Sequence, residues 1–228
     1  MKQPILVIAA HPDDEVLGCG GTIVRSTLEG RPIHIAILGE GFTSRQPSRE
    51  NTDPKSVDAL AQNATDVGAF LGAAAVHQFR FPDNRFDEVP LLDVVKTIEA
   101  LIDEIRPTEV FTQHGGDLNI DHVVTFRATM TATRPVAGSP VGALYAYEVP
   151  SSSEWAFAKF EPRFEPNYFV DITSTLDRKV QAMEMYATER RVFPHPRSPE
   201  TLAAIARKWG STVGFDAAEA FQQIWKLE

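Results

Sequence analysis

The sequence has little of three things: cysteine, long hydrophobic runs and positive charge. Cys19 is the only cysteine among 228 residues, which excludes a disulfide within the chain and fits a reducing compartment. No apolar run approaches the roughly 18 residues that a membrane-spanning helix needs, and the first apolar run is too short for a secretory signal. A net charge of −9 leaves no basic stripe for nucleic acid. We therefore expect a cytoplasmic protein with no membrane span and no nucleic-acid partner.

Strand-like and helix-like segments alternate along the chain, which is typical of βαβ units around a mainly parallel sheet. Apolar runs predict strands at residues 5–10, 32–38, 74–79, 109–112, 143–147 and 168–171. Helical spacing predicts helices at about 20–28, 60–71, 91–105, 123–133 and 173–187. We predict an α/β fold with a Rossmann-like, mainly parallel sheet flanked by helices. It forms one domain over residues 1–228, with a small C-terminal addition.

A cluster of ionisable residues follows the first predicted strand, where an open α/β sheet binds its ligands. His11 and Asp14 are three residues apart and can hold one divalent metal, which leaves Asp13 free as a base. The glycine-rich segment 18–22 predicts a tight turn before the next helix. Taken singly, each of these residues has an alternative to a functional role: an acidic residue can cap the next helix, and a histidine can be structural. Because unpaired charges beside a buried strand are costly, the cluster as a whole favours a metal or substrate site.

A second loop supplies a further metal ligand. His122 follows the strand predicted at 109–112, so it lies at the same edge of the sheet as His11. Two histidines and one aspartate with an open position for water form a catalytic zinc set. Non-haem iron held by two histidines and a carboxylate is the alternative. We favour Zn²⁺ and leave other divalent ions open.

With these motifs the chain resembles the LmbE/PIG-L family of zinc-dependent N-deacetylases. The resemblance rests on residues 10–15, 18–22 and 117–122, and more weakly on 195–198 and 218–221. It implies that zinc is bound by His11, Asp14 and His122. It also implies that Asp13 is the general base, which deprotonates the zinc-bound water as this attacks an amide carbonyl.

The chain departs from the family pattern at two positions. Many relatives have a histidine that stabilises the oxyanion where this chain has Asn119, which can donate a hydrogen bond but carries no charge. We therefore expect His114 or His195 to supply that stabilisation. An arginine that contacts the sugar in relatives is replaced by Leu60, and Arg49 and Arg85 are candidate substitutes.

Other charged residues complete the predicted site. Asp83 matches a family position that binds sugar hydroxyls, with a turn residue as the alternative. Arg197 adds positive potential to the substrate site. Behind the ligands we expect supporting carboxylates, with helix capping or turn formation as the alternative. These are Glu15, Asp117 and Asp121.

The predicted activity is removal of an N-acetyl group from a small-molecule N-acetylated sugar or glycoconjugate. One alternative is cleavage of a larger N-acyl or thiol-conjugate amide, and another is a metal-binding protein without turnover. The spare base Asp13 argues against the second alternative, because a structural zinc site is usually closed by four protein ligands. A homo-oligomer is left open.

Overall fold

The computed structural model describes residues 2–46 and 49–228. Its strands are β1 (Ile5–Ala9), β2 (Ile33–Gly39), β3 (Ala75–Phe81), β4 (Glu109–Gln113), β5 (Ala143–Tyr147), β6 (Tyr168–Asp171) and β7 (Ala218–Lys226). Its helices are α1 (Asp14–Leu28), α2 (Pro54–Leu71), α3 (Leu91–Ile105), α4 (Ile120–Ala132), α5 (Leu176–Met185) and α6 (Pro199–Val213). Within these residues no helix is both long and apolar enough to cross a membrane.

The strands form one sheet in the order β3-β2-β1-β4-β5-β7-β6. Neighbours among β1 to β5 are parallel, and β7 runs antiparallel to both β5 and β6. The predicted α/β class with a mainly parallel sheet is confirmed. Strand β1 lies between β2 and β4, so the chain reverses its direction of travel across the sheet at this strand. Such a switch point opens a crevice at the carboxyl ends of the strands.

Both faces of the sheet are buried at β1, which explains why this strand is a continuous apolar run. Alternate residues of β1 contribute to two different cores. Val7 packs with residues of α1 and α2, whereas Ile8 packs with residues of α3 and α4. The buried sheet therefore supports the loops and helix starts beyond its strand ends, where a site can form.

Helix α1 begins at Asp14, so the prediction of a glycine-rich turn followed by a helix from residue 20 is wrong. The glycines lie inside this helix. Glycine is needed at these positions because neighbouring side chains occupy the space that a Cβ atom would take. A Cβ on Gly18 would lie 2.1 Å from the ring of Tyr147, and one on Gly21 would lie 2.8 Å from Ile172. These glycines allow close packing of α1 rather than a change of chain direction.

Two further differences concern the C-terminal part of the chain. Helix α5 begins at Leu176 with Thr175 as its N-cap residue, whereas the sequence predicts the N-cap at Thr173. The part predicted as a small addition contributes α6 and β7, and β7 inserts between β5 and β6.

Candidate metal and active site

Three side chains with metal-ligating atoms converge beyond the carboxyl ends of β1 and β4. His11 follows β1, Asp14 begins α1 and His122 lies in the first turn of α4. Asp14 Oδ2 lies 3.5 Å from His11 Nδ1 and 3.3 Å from His122 Nε2. Ligand atoms about 2.0–2.1 Å from one tetrahedral ion are roughly 3.3 Å apart, so the three residues fit a single divalent cation.

Carboxylates face the outer ring nitrogens of both histidines. Asp121 Oδ2 lies 2.8 Å from His11 Nε2, and Asp117 Oδ2 lies 3.3 Å from His122 Nδ1. Carboxylates in this position orient a histidine ligand and raise its basicity. The structure thus places both residues behind the histidines, in the supporting positions that the sequence suggests.

A second group of potential ligands shares His11 and adds Asp83 and Asp121. The carboxylate of Asp121 is already engaged there, since it accepts the backbone N–H groups of Asn84 at 2.6 Å and Phe86 at 2.9 Å. We therefore assign the candidate cation position to the first group.

The charge balance around the histidines favours a cation. Burial lowers the pKa of His122, but Asp14 and Asp117 outweigh it and raise this pKa to about 9. The pKa of His11 is likewise raised, because hydrogen bonds to Asp121 and Asp14 outweigh its burial. A metal ligand must be deprotonated, so an ion at this position has to displace these protons.

We expect metal binding to release protons and to weaken as the pH falls. Below the His122 pKa of about 9, affinity should drop about tenfold per pH unit for each proton released. Calorimetry of Zn²⁺ binding between about pH 6 and pH 8, in two buffers of different ionisation enthalpy, measures the release. Equal heats in the two buffers would contradict it.

Asp13 lies in sequence between the two candidate ligands His11 and Asp14. Its backbone is left-handed, with φ 104°, a conformation that costs a non-glycine residue about 1–3 kcal/mol. Its side chain is buried, and its Oδ2 accepts a hydrogen bond from Arg197 Nη1 at 2.7 Å. Burial raises the pKa of Asp13, and the charge of Arg197 opposes this. A raised pKa brings a carboxylate closer to the range in which it can both accept and return a proton.

Glu15 holds Asp13 from behind. Its Oε2 accepts the backbone N–H of Asp13 at 3.1 Å, and its Oε1 accepts the hydroxyl of Tyr186 at 2.6 Å. Burial raises the pKa of Glu15 to about 7, although the hydrogen bond from Tyr186 lowers it. The sequence suggests a supporting role behind a metal ligand, whereas the structure places Glu15 behind Asp13. Sequence analysis missed Tyr186, which lies just beyond α5.

A cavity of about 280 Å³ opens beside these residues. His11, Asp13 and His122 form part of its wall, and most of the remaining wall is polar. Four other lining residues of interest are Asp83, Asn119, His195 and Arg197. The cavity therefore joins the candidate metal position to solvent and can admit a small polar molecule.

Two predicted substrate-facing residues line the cavity with partly engaged side chains. Asp83 Oδ2 accepts the backbone N–H of Ser44 at 2.9 Å, and Asp83 Oδ1 lies 3.3 Å from His11 Nε2. Asn119 is the N-cap of α4, where its Oδ1 accepts the backbone N–H of Asp121 at 2.9 Å. The amide nitrogen of Asn119 remains the group that can donate into the cavity.

His195 lines the cavity on the side of the loop before α6. Its Nδ1 accepts the backbone N–H of Arg197 at 3.1 Å, which places the ring proton of the neutral form on Nε2. Burial, Arg197 and Arg191 lower its pKa. His195 is thus a neutral hydrogen-bond donor near pH 7.

The structure places three predicted site residues in surroundings that differ from those predicted. His114 lies outside the cavity lining, buried, with its ring centroid 5.5 Å from that of Phe164, so the structure does not place it at the cavity wall. Arg49 donates to both carboxylate oxygens of Glu40 at 2.8 Å and borders a neighbouring cavity instead. Arg197 is bound to Asp13 rather than free for substrate.

Sequence analysis also missed a charged network beyond Asp13. Arg197 Nη1 lies 3.3 Å from Glu189 Oε2, and the same carboxylate pairs with Arg45. Arg197 Nε donates to Ser151 Oγ at 2.7 Å. These residues come from three separate loops and share no local motif, so only the tertiary structure reveals the network.

Comparison with known families gives one match that covers 6–133, more than half of the chain. The matching family is described as PIG-L, GlcNAc-PI de-N-acetylase. The match includes all three candidate metal ligands and Asp13, and it ends before the loop that carries His195 and Arg197.

Individual relatives are distant but cover most of the chain. A 1D-myo-inositol 2-acetamido-2-deoxy-alpha-D-glucopyranoside deacetylase from Mycobacterium sp. (strain JLS) is 26% identical, over 85% of this chain and 76% of its own length. A 4-oxalmesaconate hydratase from Pseudomonas putida is 27% identical, over 85% of this chain and 77% of its own length.

Solved structures share the fold. The N,N'-diacetylchitobiose deacetylase from Pyrococcus horikoshii superposes with a TM-score of 0.78 over 97% of this chain and 84% of its own. The sequence identity is only 18%, so this likeness concerns the fold alone.

Proposed function

The chain belongs to the PIG-L family, and from this premise we propose that it is a metal-dependent hydrolase. It removes an N-acetyl group from an amino-sugar-containing substrate, with zinc as the expected metal. The observation that carries the proposal is the buried carboxylate of Asp13 beside three converging ligand atoms, at the wall of a cavity.

The expected ligands are His11, Asp14 and His122, which provide two nitrogens and one oxygen, a donor set suited to catalytic zinc. When bound, the ion polarises the amide carbonyl and lowers the pKa of a water molecule to about 7. The carboxylates of Asp117 and Asp121 hold the two imidazoles in place.

Asp13 performs the proton transfers. Its carboxylate removes a proton from the attacking water and returns it to the amine as the C–N bond breaks. Arg197 and Glu15 keep the carboxylate in position, the first through Oδ2 and the second through the backbone N–H. The products are acetate and the free amino sugar.

His195 donates to the carbonyl oxygen as negative charge develops there. Its Nε2–H is the free donor, because Nδ1 is occupied by the backbone of Arg197. The amide nitrogen of Asn119, at the start of α4, is a second donor. Asp83 accepts hydrogen bonds from sugar hydroxyls.

His195→Ala is expected to lower kcat and kcat/KM together by about 10²–10³-fold, because the lost hydrogen bond forms mainly in the transition state. Metal content should stay unchanged. The matched control is His34→Ala, since His34 is stacked on His77 on the neighbouring strand β3 and does not line the cavity. A rise in KM alone would assign His195 to substrate binding instead.

The direct test of the proposed function is acetate release. The zinc-loaded protein is incubated with a panel of N-acetylated amino sugars and their glycosides, and both acetate and free amine are quantified. Equal amounts of the two products, abolished by a chelator and restored by zinc, are expected. Release of a larger acid from N-acyl or thiol-conjugate amides, without acetate release, would favour the broader amidase.

A hydratase is the second candidate function, because one relative of similar coverage is named as a 4-oxalmesaconate hydratase. Hydration also needs a water molecule that a carboxylate such as Asp13 can deprotonate. Loss of the absorbance of a conjugated unsaturated dicarboxylate, with no acetate released from any sugar, would favour the hydratase.

A further inference from the structure

Three consecutive serines lie in the loop that follows β5. We call Ser151, Ser152 and Ser153 the serine segment. The first two are buried and line the cavity, and the third is partly buried. Because hydroxyl groups away from solvent are hydrogen-bonded in folded proteins, the partners of these three groups show what the segment holds.

The first serine holds the arginine that binds the base. Arg197 Nε donates to Ser151 Oγ at 2.7 Å, and Arg197 Nη1 donates to Asp13 Oδ2 at 2.7 Å. Glu189 shares Nη1 with Asp13, at 3.3 Å, so Ser151 is the partner at Nε. A guanidinium is planar and its N–H groups have fixed directions. The acceptor at Nε therefore sets the direction in which Nη1 points.

The next two serines hold the carboxylate behind a candidate metal ligand. Ser152 Oγ donates to Asp117 Oδ1, and Ser153 Oγ donates to Asp117 Oδ2 at 2.7 Å. The backbone N–H of Asn119 is a third donor, to Oδ1 at 3.0 Å. Asp117 Oδ2 lies 3.3 Å from His122 Nδ1. Because both carboxylate oxygens are engaged, the serines fix the group that orients the His122 ring.

The backbone explains how adjacent serines reach two different networks. Ser151 is left-handed, with φ 76°, a conformation that is uncommon for a residue other than glycine. Its N–H donates to Glu154 Oε1 at 2.7 Å, which holds the turn. The hydroxyl of Ser151 meets the loop before α6, and the next two hydroxyls meet the loop after β4. One short segment thus contacts the residues behind both the base and the metal position.

We propose that the serine segment positions both parts of the active site: its first hydroxyl orients the base through Arg197, and the other two orient the ligand His122 through Asp117. The inference rests on the proposed function and adds positioning residues to it. The two ends of the segment serve different events. The first serves proton transfer, and the second serves metal binding.

The first experiment concerns proton transfer. Ser151→Ala and Ser151→Gly should each lower kcat about tenfold, the loss expected from one hydrogen bond to a charged group. KM and zinc affinity should stay unchanged. Because glycine suits a left-handed backbone, a loss shared by both variants comes from the hydroxyl and not from the backbone. A rise in KM alone would show that Ser151 contacts the substrate, which would overturn its positioning role.

The second experiment concerns metal binding. A variant with Ser152→Ala and Ser153→Ala should weaken zinc binding about tenfold, the lower end of the effect of partners behind metal ligands. With zinc in excess, its kcat should fall less than its zinc affinity does. Ser211→Ala, on the exposed side of α6, is the matched control and should behave as wild type. Equal losses of kcat and zinc affinity in all serine-segment variants, or no loss in them, would overturn the proposal.

Action through another side chain is tested by combining variants. Ser151→Gly should lower kcat no further in an Arg197→Ala protein, and loss of the other two hydroxyls should weaken zinc binding no further in an Asp117→Ala protein. Losses that simply add would overturn the proposal, because the serines would then act independently of these side chains. Thermal unfolding of each preparation confirms that the protein is folded.

Failure of the proposed function is separable from failure of this inference. If the wild-type protein releases no acetate, the deacetylase proposal fails, whereas zinc affinity still tests the part that includes Asp117. A crystal structure of Ser151→Gly decides the other part without turnover. Displacement of Arg197 from Asp13 supports the positioning role, and an unchanged ion pair overturns it.

Discussion

Asp13→Asn should lower kcat by about 10²–10⁴-fold on any cleavable N-acetyl sugar, the range attributed to one general base. An amide cannot take a proton from water at neutral pH or return one to the leaving amine. Asparagine has nearly the same shape, it can still accept the hydrogen bond from Arg197, and the left-handed backbone at this position suits it. The variant should therefore keep its fold and its metal.

The measurement combines steady-state kinetics with metal analysis and thermal unfolding of the same preparations. Asp103→Asn, on the exposed side of α3, is the matched control and should behave as wild type. Near-normal kcat in Asp13→Asn would remove Asp13 from the mechanism. Lost activity together with lost metal would place it in the metal site instead.

His122→Ala should weaken zinc binding by more than about 100-fold, since it removes one of three protein ligands, whereas loss of a supporting contact typically costs 10–100-fold. His11→Ala should behave in the same way. The comparison variant is Asp117→Asn, because Asp117 lies behind His122 and contacts no other candidate ligand. Its affinity should fall between those of wild type and His122→Ala.

Zinc affinity is best measured by competition with a chromogenic chelator, and far-UV circular dichroism confirms that each variant is folded. One full equivalent of tightly held zinc in both His122→Ala and His11→Ala would show that the ligand assignment is wrong. If Asp117→Asn and His122→Ala lose affinity equally, Asp117 is as important to the metal as the ligand itself.

The central part of the fold could be predicted because its signals are local. Strand β1 is a continuous apolar run buried on both faces, β4 has the apolar pair Val110 and Phe111 followed by buried polar residues, and α3 has its apolar residues at helical spacing. The start of α1 could not be predicted, because glycine is a poor helix former by itself. Only the ring of Tyr147, which comes from β5, explains why Gly18 lies within a helix.

The difference between local signals and tertiary contacts also explains which part of the site could be predicted. His11, Asp14 and His122 lie in short motifs at strand ends, where topology alone brings them together. The surroundings of Arg197 depend on the packing of the loop before α6, which has no periodic pattern. For His114 the sequence gives the right loop, but not the packing against Phe164 that buries its ring.

The strand order divides the site between early and late parts of the chain. The four adjacent strands β3, β2, β1 and β4, together with α4, are complete by Ala132, and they carry every candidate ligand. Arg197, which binds Asp13, lies 184 residues away from it in sequence. Because a chain emerges from the ribosome N-terminus first, the candidate metal ligands are synthesised before Arg197. The part of the chain that would hold the metal is thus complete before the side chain that binds Asp13.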